Sequence, residues 1–293
     1  MNQQIKTNKL LIAELLDLDL VNYHLDGFVI PISNYCCYAQ KEFTLDEVRI
    51  ITNYCKQNNI LTIAKIDKIM MEEEIIPLHQ TIDELIKLNI DYYIYTDTSI
   101  LTYLGDLGLK SKLINASSKM LCSKAECNYY THQEIMVIPS SEISLEELKD
   151  ISSLNNVCLT CYGYLDIFYS KRNLISLYNE HIGKNKKVSK SHKYFIQEET
   201  RENENPILEN KNGAFIFSDF IYCLYRELSL FNNKMFKINS TFLNKKDLFK
   251  IIDIYQDALT NGPSGDGYNK LLDIEGRIGS GFLYQQSNIL DNE

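Results

Sequence analysis

The residues best placed to do chemistry together lie between Val157 and Tyr178, where Cys158 and Cys161 precede Gly163 and the polar run Tyr169-Ser170-Lys171-Arg172. Val157 to Tyr162 reads as a strand, Gly163 as a turn, and the residues after Arg172 as an apolar helical pattern. Backbone donors and two cations would then gather at one strand end, and an Arg fork beside a Lys ammonium suits a phosphate or a carboxylate. Glu142, near the end of the preceding strand, could act with Lys171 as an acid and base pair. A lone Glu in such a place is more often a helix cap or an ion-pair partner. Glu142, Gly163, Tyr169, Ser170, Lys171 and Arg172 are the candidate substrate-binding residues, and no catalytic residue is singled out.

Other chemistries find less support. Cys158 and Cys161, with Cys122 and Cys127, have the spacing of a zinc set, but residues three apart on a strand face opposite ways, so no metal and no cofactor is expected. A cysteine nucleophile needs a neighbouring base. The five histidines, His24, His79, His132, His181 and His192, are scattered through helices and loops. The basic run from Lys184 to Lys193 reads as a solvated loop, with a phosphate site as the alternative.

The elements that must position these residues follow from composition and period. The chain has 293 residues, 45% of them hydrophobic and 24% charged, enough for a large core. Its formal charge of -9 repels polyanions, so any nucleic-acid contact would need a local basic patch. Eight cysteines without framework spacing, including the vicinal Cys36 and Cys37, fit a reducing compartment. No apolar run reaches the roughly 20 residues of a membrane span. The start lacks a small-residue cleavage site, so a cytoplasmic protein with no membrane partner is expected.

Short apolar runs at Leu10 to Leu15, Gly27 to Ile32, Leu61 to Ile66, Tyr92 to Tyr95, Leu113 to Ala116 and Ile135 to Pro139 read as strands. Helices between them begin at Thr44 and Ser144, each with Glu three residues on, and at Thr81. Continuous apolar strands joined by helices predict a parallel sheet buried on both faces: a (β/α)8-like, TIM-type barrel, complete or incomplete. Chemistry in barrels sits at strand C-terminal ends, near Asp67, Asp97, Ser117, Ser118, Glu142 and Gly163 here. Tyr194 to Phe217, with a type I′ turn at Asn212-Gly213, predicts a small antiparallel β insertion. Ile221 to Leu230 reads as helix, Phe236 to Asn239 as the next strand and Lys245 to Leu259 as a helix. The barrel domain spans 1–262, and 263–293 is a tail, with a last short strand at Gly281-Phe282-Leu283-Tyr284.

The order of elements resembles the short form of the collagenase-like peptidase family U32. That family's segment His-Gly, two residues, Cys, two residues, Tyr-Ser-Gly-Arg-Cys-Leu-Leu-Ser is similar to Tyr162-Gly163, Tyr169 to Arg172 and Leu174-Ile175-Ser176. The hairpin around Asn212-Gly213 and the helix carrying Tyr255 to Leu259 follow in the family's order. The resemblance implies either peptidase activity or a part in tRNA, rRNA or quinone hydroxylation, where relatives carry an iron–sulfur cluster on four cysteines and work as pairs of related subunits.

This sequence departs from that pattern where it matters most. Asp166 and Asn173 stand where the first two cysteines would be, and no cysteine occurs from 162 to 222. Thiolates hold such clusters, so no cluster of this type is expected. The Lys-Ile-Glu-Gly of the family's last barrel strand reads Lys237-Ile238-Asn239-Ser240. The resemblance therefore implies a cluster-free subunit in tRNA wobble-uridine hydroxylation, partnered by a longer, cysteine-bearing paralogue and touching tRNA through a basic patch. A peptidase of unassigned mechanism and a non-catalytic scaffold are the alternatives, and the sequence leaves open whether catalysis survives.

Overall fold

The computed structural model describes residues 9–117, 120–184, 188, 193–200, 202–274 and 276–285. Strands β1 (Leu10–Glu14), β2 (Gly27–Pro31), β3 (Leu61–Ile66), β4 (Tyr92–Tyr95), β5 (Leu113–Asn115) and β6 (Met136–Val137) alternate with helices. These are α1 (Leu45–Asn58), α2 (Ile75–Lys87), α3 (Thr98–Asp106), α4 (Lys124–Thr131) and α5 (Leu145–Ser152). Then follow β7 (Cys158–Ser170), α6 (Leu174–His181), β8 (Tyr194–Gln197), β9 (Glu204–Asn210), β10 (Gly213–Cys223) and β11 (Met235–Ile238). Helices α7 (Lys245–Asn261) and α8 (Gly265–Ile274) and the short β12 (Ile278–Gly279) complete the order.

All strands belong to one sheet, ordered β6-β5-β4-β3-β2-β1-β11-β7-β10-β9-β8, with β12 beside β10. From β6 to the first half of β7 every pairing is parallel, as βα units dictate. Val137 of β6 also forms a parallel bridge to Val157, beside the start of β7, so the sheet curls back on itself. The result is an α/β fold whose curled sheet has the form of an incomplete barrel. One apolar cluster, Ile12, Val29, Ile63, Ile94, Ile114, Ile138, Cys158 and Met235, fills the concave side. A larger one lies between the sheet and the helices. Among the described residues no helix is long and apolar enough to cross a membrane.

Local signals explain the helices that start where the sequence says. Thr44 and Ser144 each accept from the amide of Glu47 and Glu147, whose carboxylates reach back to the cap amides. Asn244 caps α7 through the Asp247 amide.

Several expectations need correction. Thr81 lies inside α2, which begins six residues earlier, because Pro77 is tolerated in a first turn and Glu74 accepts from the Met71 amide. The chain does not turn at Gly163: β7 runs on to Ser170 because its second half pairs antiparallel with β10. The same pairing takes Ile221 to Cys223 into strand, leaving only a 3-10 turn at Leu228–Leu230 where a helix was expected. The β9–β10 hairpin exists, but its turn residues Lys211 and Asn212 both keep negative φ, so it is not type I′. Asn210 Oδ1 instead accepts from the Asn212 amide at 2.7 Å, an Asx turn. Beyond Pro263 the chain forms α8 rather than loop, and the last strand is β12, with a turn at Gly281.

Candidate functional site

Strand periodicity builds the site. Residues two apart share a face, so above the apolar ring the same inner face carries Glu14 on β1, Lys65 on β3, Thr96 after β4, Thr160 on β7 and Lys237 on β11. Asp67 and Asn239 follow at the rim. All of these but Glu14, which lies behind the two lysines, line a cavity of about 310 Å³ at the C-terminal ends of the strands. Thr96, Ser117, Ser141 and Asp166 add polar groups to its wall, and Ile94, Ile138, Tyr38, Tyr169 and Phe215 add apolar ones.

Its electrostatic centre is a buried network. Lys65 Nζ lies 2.8 Å from Glu14 Oε1 and 3.4 Å from Asp67 Oδ2, and 4.7 Å above the Tyr38 ring. Lys237 Nζ donates to Asn239 Oδ1 and stands 3.9 Å from the same Glu14 oxygen. The two lysines, 4% and 7% exposed, respond in opposite directions. Burial works against the charge on Lys65, but Asp67, Cys36 and Glu14 outweigh it and hold the ammonium well above the ordinary lysine range. For Lys237 burial comes first and Glu14 only partly offsets it; the charge of Lys65 adds to the effect, and the net shift is downward. Such a site can hold a polar ligand against fixed charges, or supply an amine with a neighbouring carboxylate.

The β insertion completes the wall. Asn212 Nδ2 donates to the Cys36 carbonyl (2.8 Å) and Asn210 Nδ2 to the Cys37 carbonyl (3.0 Å), while the Cys37 amide donates to Asp67 Oδ1 (2.9 Å). The hairpin therefore clamps the loop that presents Tyr38. Tyr38 meets Phe215 and Phe217 edge-on, and Tyr169 stacks flat on Phe215 at 4.7 Å.

The candidate residues read from sequence do not converge. Tyr169 lines the cavity, its hydroxyl donating to the Asn212 carbonyl at 3.2 Å. Gly163 is buried at φ +122°, where a Cβ would meet Asn239 backbone at 2.5 Å, so it serves close packing of β7 on the chain after β11. Ser170 Oγ accepts from the Arg172 amide, while Lys171 and Arg172 are exposed beyond the strand. Glu142 is exposed outside the cavity and makes no hydrogen bond or ion pair with Lys171 among the described residues. The amides of α6 expected to hold an anion already have one. Glu209 of β9 accepts from Ile175 N (2.7 Å) and Ser176 N (3.2 Å). Ser118 and most of the basic run from 184 to 193 lie outside the described residues.

Glu14, Lys65, Lys237 and Asn239 were missed as a site. The available signal was a single charge inside each of three apolar strands, since a charge buried in a sheet requires a partner. The positions where family members hold a cluster carry Asp166, on the cavity wall, and Asn173, at the start of α6. Neither supplies a thiolate, so these residues do not fit a thiolate-held cluster. Cys158 lies in the inner apolar cluster and Cys161 in the outer one, on opposite faces of β7. No described histidine lines the cavity: His24 pairs with Asp253, His79 stacks on Tyr103, and His132 bonds its own helix.

Comparison with known proteins agrees with the resemblance. The tRNA hydroxylation protein P2 of Bacillus subtilis (strain 168) is 21% identical over 252 residues, covering 83% of this chain and 81% of its own. The U32 peptidase Mk0906 has a solved structure that matches with a TM-score of 0.46 and 13% identity, over 82% of this chain and 96% of that one. The family model for peptidase family U32 matches residues 19–292, and the chain belongs to that family.

Proposed function

We propose that this chain is a cluster-free subunit in tRNA wobble-uridine hydroxylation. The observation that carries this reading is the similarity to the tRNA hydroxylation protein P2, which extends over most of both chains. The missing thiolates at Asp166 and Asn173 support a subunit that leaves cluster chemistry to a longer, cysteine-bearing paralogue, as does a cavity that no histidine among the described residues lines. We read the curled sheet as a TIM-type barrel of β1 to β6, β7 and β11, closed at the Val137–Val157 bridge, with its working end at the strand C-termini. Eight free cysteines, seven of them buried, suit a cytoplasmic setting.

Deletion of the gene followed by mass spectrometry of bulk tRNA nucleosides tests this. Hydroxylated uridine should disappear and return with the wild-type gene; an unchanged level removes the reading. Rescue variants locate the working site. Lys237→Met should fail to restore the nucleoside and Arg172→Ala should restore it, because Lys237 lines the cavity and Arg172 is exposed beyond it. The reverse result would move the site to the Tyr169 to Arg172 segment.

A further inference from the structure

We propose that Lys237 forms a Schiff base with a small, uncharged aldehyde or ketone bound in the cavity at the strand C-terminal ends. The inference rests on geometry at the barrel mouth and does not depend on the tRNA reading.

Two lysines face one carboxylate there, and their surroundings give them different tasks. Lys65 is held at 2.8 Å by Glu14 and at 3.4 Å by Asp67, over the face of the Tyr38 ring, and is fixed as an ammonium. Lys237 keeps 3.9 Å from Glu14, and its hydrogen bond goes to the neutral Asn239 amide oxygen. The groups facing it are Glu14 from β1, Lys65 and Asp67 from β3 and its end, Cys158 from β7 and Asn239 just past its own strand. Burial and the adjacent Lys65 charge lower its proton affinity, the condition under which a lysine becomes a nucleophile.

The walls select the partner. Lys65 and Lys237 stand beside three carboxylates, Glu14, Asp67 and Asp166, so the surroundings are net negative and disfavour an anionic carbonyl compound. Ile94, Ile138, Tyr169 and Phe215 offer apolar contact to the rest of the molecule, and about 310 Å³ limits its size.

The step balances without a redox partner. The Lys237 nitrogen lone pair forms the C–N bond while the C=O π pair moves to oxygen. The proton that nitrogen sheds passes to that oxygen, giving a carbinolamine, with Asp67 and Asp166 the carboxylates on the cavity wall. The nitrogen lone pair then expels the hydroxyl, which takes up the second N–H proton and leaves as water, so amine and carbonyl yield imine and water.

The test incubates the full chain with cyclohexanone and sodium cyanoborohydride at neutral pH, with peptide mapping by mass spectrometry. The expected result is one reduced adduct, on Lys237, at least about tenfold above any other lysine, since Lys237 joins a place on the cavity wall to a lowered proton affinity. Lys237→Arg, checked for a wild-type circular dichroism spectrum, should lose that adduct. Label spread evenly over surface lysines, no label at all, or a main adduct elsewhere overturns the proposal. Mapping of the wild-type chain decides the matter even if the variant does not fold.

Discussion

Lys65 and Glu14 form a buried ion pair, 2.8 Å from Nζ to Oε1, across a strand that lies between their own. Glu14 is in register with Val29 of β2 and Lys65 with Pro31, so the two start at different heights and the long lysine spans the gap. The pair ties β1 to β3 above the apolar ring, at the level where the cavity opens.

Breaking that pair leaves one buried charge short of its partner. Lys65→Met should cost about 3 kcal/mol, toward the lower end for such pairs because Lys237 still faces Glu14. The double variant Lys65→Met with Glu14→Gln should lose clearly less than the sum of the single losses, since it removes both charges together. Urea unfolding of the four proteins measures this, and strict additivity would refute the coupling.

A backbone prediction concerns Gly163. Alanine there must hold φ near +122° with its Cβ 2.5 Å from the Asn239 carbonyl oxygen. Gly163→Ala should lose about 3 kcal/mol or more and loosen the cavity wall. Gly183→Ala, also at positive φ (+69°) but with nothing within 4 Å, should lose only about 1 kcal/mol. Equal losses at the two positions would show that close packing on Asn239 contributes little.

These two sites mark how far the sequence could be read. The first six strands were legible because each is an apolar run of its own, and α1 and α5 because Thr44 and Ser144 announce them locally. Gly163 reads as a turn because positive φ usually serves one; here it admits Asn239, a neighbour 76 residues away in sequence. Ile221 to Cys223 reads as helix until β7 is present to pair with it. The network failed for the same reason. Glu14, Lys65 and Lys237 each look like an isolated charge, and only the register of nonadjacent strands brings them together. The helix start after Arg172 looked ready for an anion, but Glu209 fills it from β9.

Thiol counting checks the burial of the cysteines. Seven of the eight are buried and Cys122 is exposed. Burial pushes the thiols up, Cys55 to about 12 and Cys127 to about 11, so little thiolate exists at neutral pH. Ellman's reagent should therefore titrate one thiol quickly in the native protein and eight in denaturant. Cys37, on the cavity wall, should be the next to react. Rapid reaction of several thiols before unfolding would contradict this packing.

Stability at alkaline pH separates the two lysines. Lys237 has a folded pKa below its unfolded value of about 10.4, so between those values the unfolded chain binds the extra proton. Unfolding free energy contributed by this site must then rise with pH across that window. Lys65 has a folded pKa above the unfolded value, so its contribution is complete below about 10.4 and is lost as pH climbs toward the folded pKa. Other lysines, tyrosines and cysteines titrate in the same range, but those that do not face the substituted lysine are common to wild type and variant and cancel in the difference. Wild type minus Lys237→Met should therefore grow more positive as pH rises toward about 10.4, whereas wild type minus Lys65→Met should fall beyond it. Urea midpoints along the pH series give both curves. A flat Lys237 difference would mean that this lysine keeps its ordinary proton affinity when folded, and the neutral amine at the cavity wall would lose its physical basis.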